Sequence, residues 1–400
     1  MPKRCLISFG RGRVASVCLS IFILLISLTI RPSSATAQDT IPRITDATHI
    51  AGYGEIVYND PNGTTPGQLD LSRIVIFLSH QFSDRWSFKS ELETEHVKVE
   101  VSDPGGEFEI EQAFLDFRVS DALNFRGGLY LVPSGIINQT HEPTTFFSVG
   151  RPHVDEEVIP TTWREIGAGL FGDLGEYFKY QAYISEGLSA AGFDETGIYE
   201  GRQEGKQSNP TNPSISGKID YLPAPGLRFG ASIYYQTNTA SALLTLTDSG
   251  ASTPVAFNSP LSVIAFDGQY DHGAFHVRGE YAMDAIGNAM LLSTALSRAI
   301  PSKVTGGYLD VGYNVIPLFC SSSDVEVLPF VRYEMLQHNF DASQGGNQSR
   351  NYIIAGVACR PTDGVIIKAN YEFCSQSQFA VNENEFMTKG LLSVGLGYAF

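Results

Sequence analysis

The last nine residues place the tightest constraint on what this chain can fold into. Leu392, Val394, Leu396, Tyr398 and Phe400 form one alternate set, and Ser393, Gly395, Gly397 and Ala399 form the other. Successive side chains of a β-strand point to opposite faces. The segment therefore presents one bulky apolar face and one small face. The same split recurs upstream with charge on the second face. Leu227, Phe229, Ala231, Ile233 and Tyr235 alternate with Arg228, Gly230, Ser232, Tyr234 and Gln236. Phe275, Val277, Gly279 and Tyr281 alternate with His276, Arg278 and Glu280. Ile367, Ala369, Tyr371 and Phe373 alternate with Lys368, Asn370 and Glu372. Sixteen such segments run from residue 48 to residue 400, among them 305–318, 364–374 and 389–400.

Alternation alone suits a soluble sandwich as well as a membrane barrel. The connections separate the two. Every second one is tight, as in Ser83-Asp84, Ser120-Asp121, Pro223-Ala224-Pro225, Asp271-His272, Cys320 to Asp324 and Pro361 to Gly364. Those between are mostly long: 134–162, 187–212, 238–260, 284–304, 337–349 and 375–388. Short turns at one end and long loops at the other are the signature of a barrel that crosses a membrane. The expected fold is all-β, a transmembrane antiparallel β-barrel of about sixteen strands. Aromatics support it. Trp86, Phe117, Phe125, Phe178, Tyr221, Phe229, Tyr270, Phe275 and Phe400 fall at the short-turn end of the apolar face, and Tyr235, Tyr281, Tyr333 and Tyr371 toward the other. Two girdles flanking an apolar band are expected where rings sit at headgroup level.

The N-terminus reads as an export signal. Lys3, Arg4, Arg11 and Arg13 precede an apolar run from Val14 to Ile30, and Ala35-Thr36-Ala37 offers a small-residue cleavage site. The expected division is a signal peptide over 1–37 and one barrel domain over 38–400. Losing five basic residues and no acid takes the net charge from −16 to −21. That acidity argues against nucleic acid as a partner. Of the five cysteines, Cys320, Cys359 and Cys374 remain, and a bond between Cys320 and Cys359 stays open. No Cys/His spacing resembles a zinc site. No motif singles out a catalytic residue, a metal ligand or a cofactor, so none of these is expected. Met283 to Ile300 has the spacing of a short loop helix.

The segment from Ser134 to Thr162 is the longest connection and mixes charge with Phe146, Phe147, Val149, Val154 and Ile159. An exposed loop does not usually carry so many apolar residues, so it is expected to fold inward and set the width of an aqueous channel. Glu142, Asp155, Glu156 and Glu157 would bring negative charge there, with Arg151, His141 and His153 as counterparts. On the strands, Lys89, Arg118, Arg126, Arg278, Arg332 and Lys368 are expected on the lumen wall. Inward acids include Glu91, Glu93, Asp116, Asp310, Glu334 and Glu372. Lys89, Arg118 and Arg126 would form a basic patch below the loop.

The signal, the sixteen amphipathic segments, the long third external loop and the terminal Tyr398-Ala399-Phe400 resemble Gram-negative porins. More narrowly, Leu328-Pro329-Phe330-Val331-Arg332-Tyr333-Glu334 and the stretch from His141-Glu142-Pro143 to Trp163-Arg164-Glu165 resemble the phosphate-selective porin O and P group. The resemblance implies an outer-membrane location among lipid and lipopolysaccharide, a homotrimer, and passive diffusion of ions and small hydrophilic solutes. The third loop, with four acids against one arginine, departs from a phosphate-selective pattern and favours weak cation preference or a mixed field. The rival expectation is a surface-binding barrel, adhesin or receptor, with a blocked lumen. An enzyme ranks behind both.

Overall fold

Tight turns force each strand to pair with its neighbour in sequence, and the pairing runs all the way round. The computed structural model describes residues 48–61, 66–96, 106–240, 257–320, 323–380 and 383–400. The expected signal over 1–37 lies outside the described residues. Sixteen strands are present: β1 (Thr48–Asp60), β2 (Gln68–Gln81), β3 (Trp86–Glu95), β4 (Glu107–Arg118), β5 (Asn124–Leu131), β6 (Arg164–Leu174), β7 (Phe178–Ser185), β8 (Ser214–Ala224), β9 (Leu227–Gln236), β10 (Leu261–His272), β11 (Phe275–Ile286), β12 (Lys303–Tyr313), β13 (Glu326–Asn339), β14 (Asn347–Thr362), β15 (Val365–Ala380) and β16 (Glu383–Ala399). Each is antiparallel to the next, and β1 pairs with β16 to close the barrel. At the seam Tyr53 faces Ala399, and Gly52 and Phe400 exchange backbone hydrogen bonds of 3.0 and 2.9 Å. Closure removes the open edge that would otherwise recruit another strand.

Two expected boundaries are corrected. The segment 375–388 is not a long loop. β15 and β16 stay paired out to Ala380 and Glu383. Its polar composition hides the strands, because a backbone ladder needs no apolar face once it projects past the greasy belt. The expected strand 305–318 is shorter and shifted, ending at Tyr313, and Ile316–Leu318 forms a 3₁₀ turn. Pro317 lies in that turn and, with no N–H to give, cannot extend the ladder. The helix expected within 283–300 occurs as α2 (Ala289–Leu296), with Ala289 and Leu292 buried. A shorter helix, α1 (Val154–Glu157), lies in the loop after β5. Cys359 carries a free thiol.

The outward face is apolar. Ile76, Leu115, Ile166, Ile233, Phe266, Leu309, Val331 and Ile353 are all exposed there. So are Trp86, Phe178, Tyr221, Tyr270 and Phe275 toward the turns and Tyr235, Tyr281 and Tyr333 toward the loops. The inward face alternates with it: on β13 Leu328, Phe330, Arg332, Glu334, Leu336 and His338 are buried, and the residues between them are exposed.

One irregularity matters for the site. On β4, Gln112 pairs with Glu91 and Ile110 with Leu92, so Glu111 has no partner. This is a β-bulge, which bends a strand and re-aims a side chain. Inward positions on β4 therefore switch from Glu107 and Glu109 to Phe114 and Asp116, and Glu111 turns inward as well.

Candidate functional site

The connection from β5 to β6 folds into the barrel, and its neck explains how. Val132 N–H donates to the Trp163 carbonyl at 2.9 Å. Asn138 then ties both sides together. Its Nδ2 donates to the carbonyls of Val132 and Trp163 at 2.7 and 3.0 Å, and its Oδ1 accepts from Trp163 N–H at 2.8 Å. Gly135 makes the inward turn at φ 63°, where a Cβ would press on the Ile159 side chain and the Glu280 carboxylate.

A loop inside a barrel must find partners for its backbone groups, since each buried unpaired one costs about 1–3 kcal/mol. The inner wall supplies them. Glu280 accepts from Ile136 N–H at 2.9 Å, Glu334 from Val154 N–H at 2.6 Å and Asn370 from Val149 N–H at 2.7 Å. Lys368 Nζ donates to the Ser148 carbonyl at 2.8 Å, and Lys218 Nζ to that of Gly135. Apolar packing completes the anchoring. Phe147, Val154, Val158, Ile159 and Trp163 join one buried cluster with Leu188, Phe193, Leu261, Leu292, Phe330 and Leu336. Gly306 on β12 leaves the space that Val154 fills.

Two cavities of the lumen are found among the described residues. The outer one, about 1010 Å³, opens among the long loops and is lined by β1–β4, the residues 146–162, the segment 194–204 and β13–β16. The inner one, about 860 Å³, lies at the short-turn end and is lined mainly by β1–β7. Between them sits a buried layer: Tyr53 of β1, Val75 of β2, Glu91 and Glu93 of β3, Glu111 of β4 and His141 of the loop. Tyr53, Val75 and Glu111 are 0% exposed and His141 3%. This layer separates the two cavities on the β1–β4 side.

The expected site residues are distributed over this frame. Arg151, His153, Glu156, Glu157 and Arg332 line the outer cavity. Lys89, Arg118 and Arg126 line the inner one. Glu142 is half-buried in the loop. Asp155 is fully buried, and burial, with the nearby charges of Glu280 and Glu334, raises its carboxyl well above the usual range. Burial alone would raise Glu157, but His338 and Arg350 hold it below its usual value. Burial works against a charged His153, yet Glu372 at 3.2 Å, with Glu334 and Glu156, raises it to about 9. Likewise burial opposes charge on His141, but Glu111 and Glu91 raise it to about 10. Arg126 makes a two-pronged pair with Asp116 at 2.8 and 3.0 Å. Arg332 does the same with Asp310 at 2.9 and 2.8 Å, fully buried. Lys368 and Arg278 are also buried, against Phe146 and Phe147 respectively.

Sequence reasoning missed Glu111, Tyr53 and Arg73. Alternation counted from Asp116 and Arg118 puts Glu111 on the outer face, and only the bulge reverses that. The available signal was a carboxylate at an otherwise apolar position, next to the polar Gln112.

The barrel's fold is similar to that of outer-membrane porins of known structure. Among solved structures, the anion-selective porin of Comamonas acidovorans aligns with 88% of this chain and 99% of its own at a TM-score of 0.56, with 13% identity. OmpF of Salmonella typhi gives 0.57 at 12% identity over 88% and 97%. The outer-membrane channel DcaP of Acinetobacter baumannii gives 0.54 at 11% over the same shares. In sequence, an uncharacterised protein of Aquifex aeolicus (strain VF5) is 28% identical over 356 residues, 84% of this chain and 77% of that protein. No protein-family model matches the chain.

Proposed function

We propose that this chain is an outer-membrane channel for passive diffusion of ions and small hydrophilic solutes, narrowed by residues 134–162. One observation carries the reading: a closed barrel wears its apolar residues outside and holds charged cavities at both ends of its lumen. A water-soluble protein does not sustain so large an apolar surface. In hydrocarbon the same belt is favourable, and the closed ladder leaves no open strand edge. On this reading residues 1–37 direct export, and lipid and lipopolysaccharide surround the belt. The proposal includes a homotrimer; a trimer form is described for OmpT of Vibrio cholerae, another barrel of this fold. It assigns no catalytic role.

The outer cavity supports mild cation preference. Eleven of its lining residues are acids and six are arginines, so the mouth carries excess negative charge. The narrower likeness to the phosphate-selective porin O and P group is proposed for the barrel type and its crossing loop, not for the solute. Purified protein in a planar bilayer should give stepwise conductance with a reversal potential on the cation side. A strong anion preference would refute the charge reading. Absence of steps would refute the channel itself. The buried layer between the cavities favours a second reading in that event, a surface-binding barrel with a shut lumen.

A further inference from the structure

The buried layer contains three donors with no sequence motif behind them. One ligand atom from each of Glu91, Glu111 and His141 lies within 4.8 Å of the other two. His141 Nε2 is 3.5 Å from Glu91 Oε1 and 3.4 Å from Glu111 Oε2. A proton shared between an imidazolium and a carboxylate would draw these atoms to about 2.7–2.9 Å. Here neither contact closes, and all three atoms are buried without a hydrogen-bond partner. Leaving such groups unmatched is costly.

We propose that Glu91, Glu111 and His141 bind one divalent first-row metal ion of the zinc type, which fastens the loop to β3 and β4 between the two cavities. Zinc–nitrogen and zinc–oxygen bonds of about 2.0–2.2 Å at tetrahedral angles put neighbouring donors about 3.3–3.6 Å apart. The two measured separations fall there. The imidazole nitrogen selects against calcium and magnesium, which take oxygen donors.

The surroundings hold the donors as ligands. His141 Nδ1 donates to the Asn138 carbonyl at 3.2 Å, which directs Nε2 toward the carboxylates. Gln112 donates to the other oxygen of Glu91 at 2.6 Å. The bulge supplies Glu111 itself. Glu93 also lies in the layer, but Arg73 pairs with it at 3.3 Å. A dipositive ion would balance the remaining two carboxylates. The elements joined are far apart in sequence, so the ion would act as a staple on a loop otherwise held from the opposite wall. This inference is independent of conduction: a barrel that carries no current could still hold the metal.

Refolded full-length barrel in detergent, stripped with EDTA, is titrated with Co²⁺ and then with Zn²⁺. The expected result is one Co²⁺ per chain with visible d–d bands, displaced by Zn²⁺. Glu111→Gln should abolish the bands, and Gln112→Met should weaken binding about tenfold. Heat-modifiable migration checks that each variant folds. Should Glu111→Gln fail to fold, the wild type still decides. Zn²⁺ should slow proteolytic cleavage within 134–162 relative to EDTA. No stoichiometric binding, equal binding by folded Glu111→Gln, or metal-independent cleavage would each overturn the proposal.

Discussion

The two cavities share strands β1–β4, yet they differ in charge. Outside, Glu55, Asp70, Glu95, Glu107 and Glu109 face the space from β1–β4, and acids outnumber arginines. Inside, Lys89, Arg118 and Arg126 stand further along β3, β4 and β5, and five acids meet five lysines and arginines. β3 shows the change in one strand, running inward-facing from Lys89 through Glu91 and Glu93 to Glu95. Strand alternation requires only that the inner face be polar. Which sign it carries is free to vary along the axis, and it changes at the layer where the loop meets the wall. The field of this barrel therefore has an axial component, and the crossing loop marks where that component turns.

The strongest way to break the comparison is to remove what separates the cavities. Replacing residues 136–161 by a short Gly/Ser link should raise single-channel conductance severalfold and weaken cation preference, since the merged lumen averages both ends. Unchanged conductance would mean that the loop is not what limits flow. Stability offers the next contrast. Arg332, beside the outer cavity, is buried with Asp310, so Arg332→Ala strands a buried carboxylate and should cost about 3–5 kcal/mol in urea unfolding. Arg118, at the inner cavity, is 66% exposed and pairs with a still more exposed Asp121. Arg118→Ala should cost well under about 1 kcal/mol. Charge reversal sharpens the difference in sign. Lysine at Glu107, Glu156 and Glu200 together should shift the reversal potential a few-fold in permeability ratio toward anions. Lys89→Gln at the other end should move it by clearly less. Equal shifts would show that the ions do not distinguish the two ends.

How much of this could be read beforehand follows from what each feature depends on. The barrel was legible because alternation and turn asymmetry are local and repeat in every hairpin, as in the Arg228, Arg278 and Lys368 segments. Inward folding of the loop was legible from Phe146, Phe147 and Val154, which have no place in solvent. The partners were not. Lys368 meets the Ser148 carbonyl 220 residues away in sequence, and no local pattern encodes that pairing. The His141 layer was hidden twice, by the same kind of distance and by a bulge that breaks the parity on which the strand reading relies. Asp155 shows the converse. Composition places its charge at the narrowing, while its burial and the nearby charges of Glu280 on β11 and Glu334 on β13 push its carboxyl upward.

The smallest expected effect concerns His153, a loop histidine that faces the outer cavity. His153 stacks on Tyr352 with ring centroids 4.0 Å apart and bonds to Glu372 on β15, with Glu156 and Glu334 also near and Arg151 beside it in the loop. Its folded value of about 9 lies above the ordinary 6.5. The link therefore contributes fully below about pH 6.5 and is lost as the pH climbs through about 9, an effect of at most about 3 kcal/mol. Urea midpoints of the wild type should fall over that window, and those of His153→Gln should fall less. Over the same window the outer mouth loses a positive charge, so cation preference should rise slightly. If the wild type and His153→Gln gave parallel pH profiles, the Glu372 contact would not be anchoring the loop, and the outer cavity's charge would be set by its fixed acids and arginines alone.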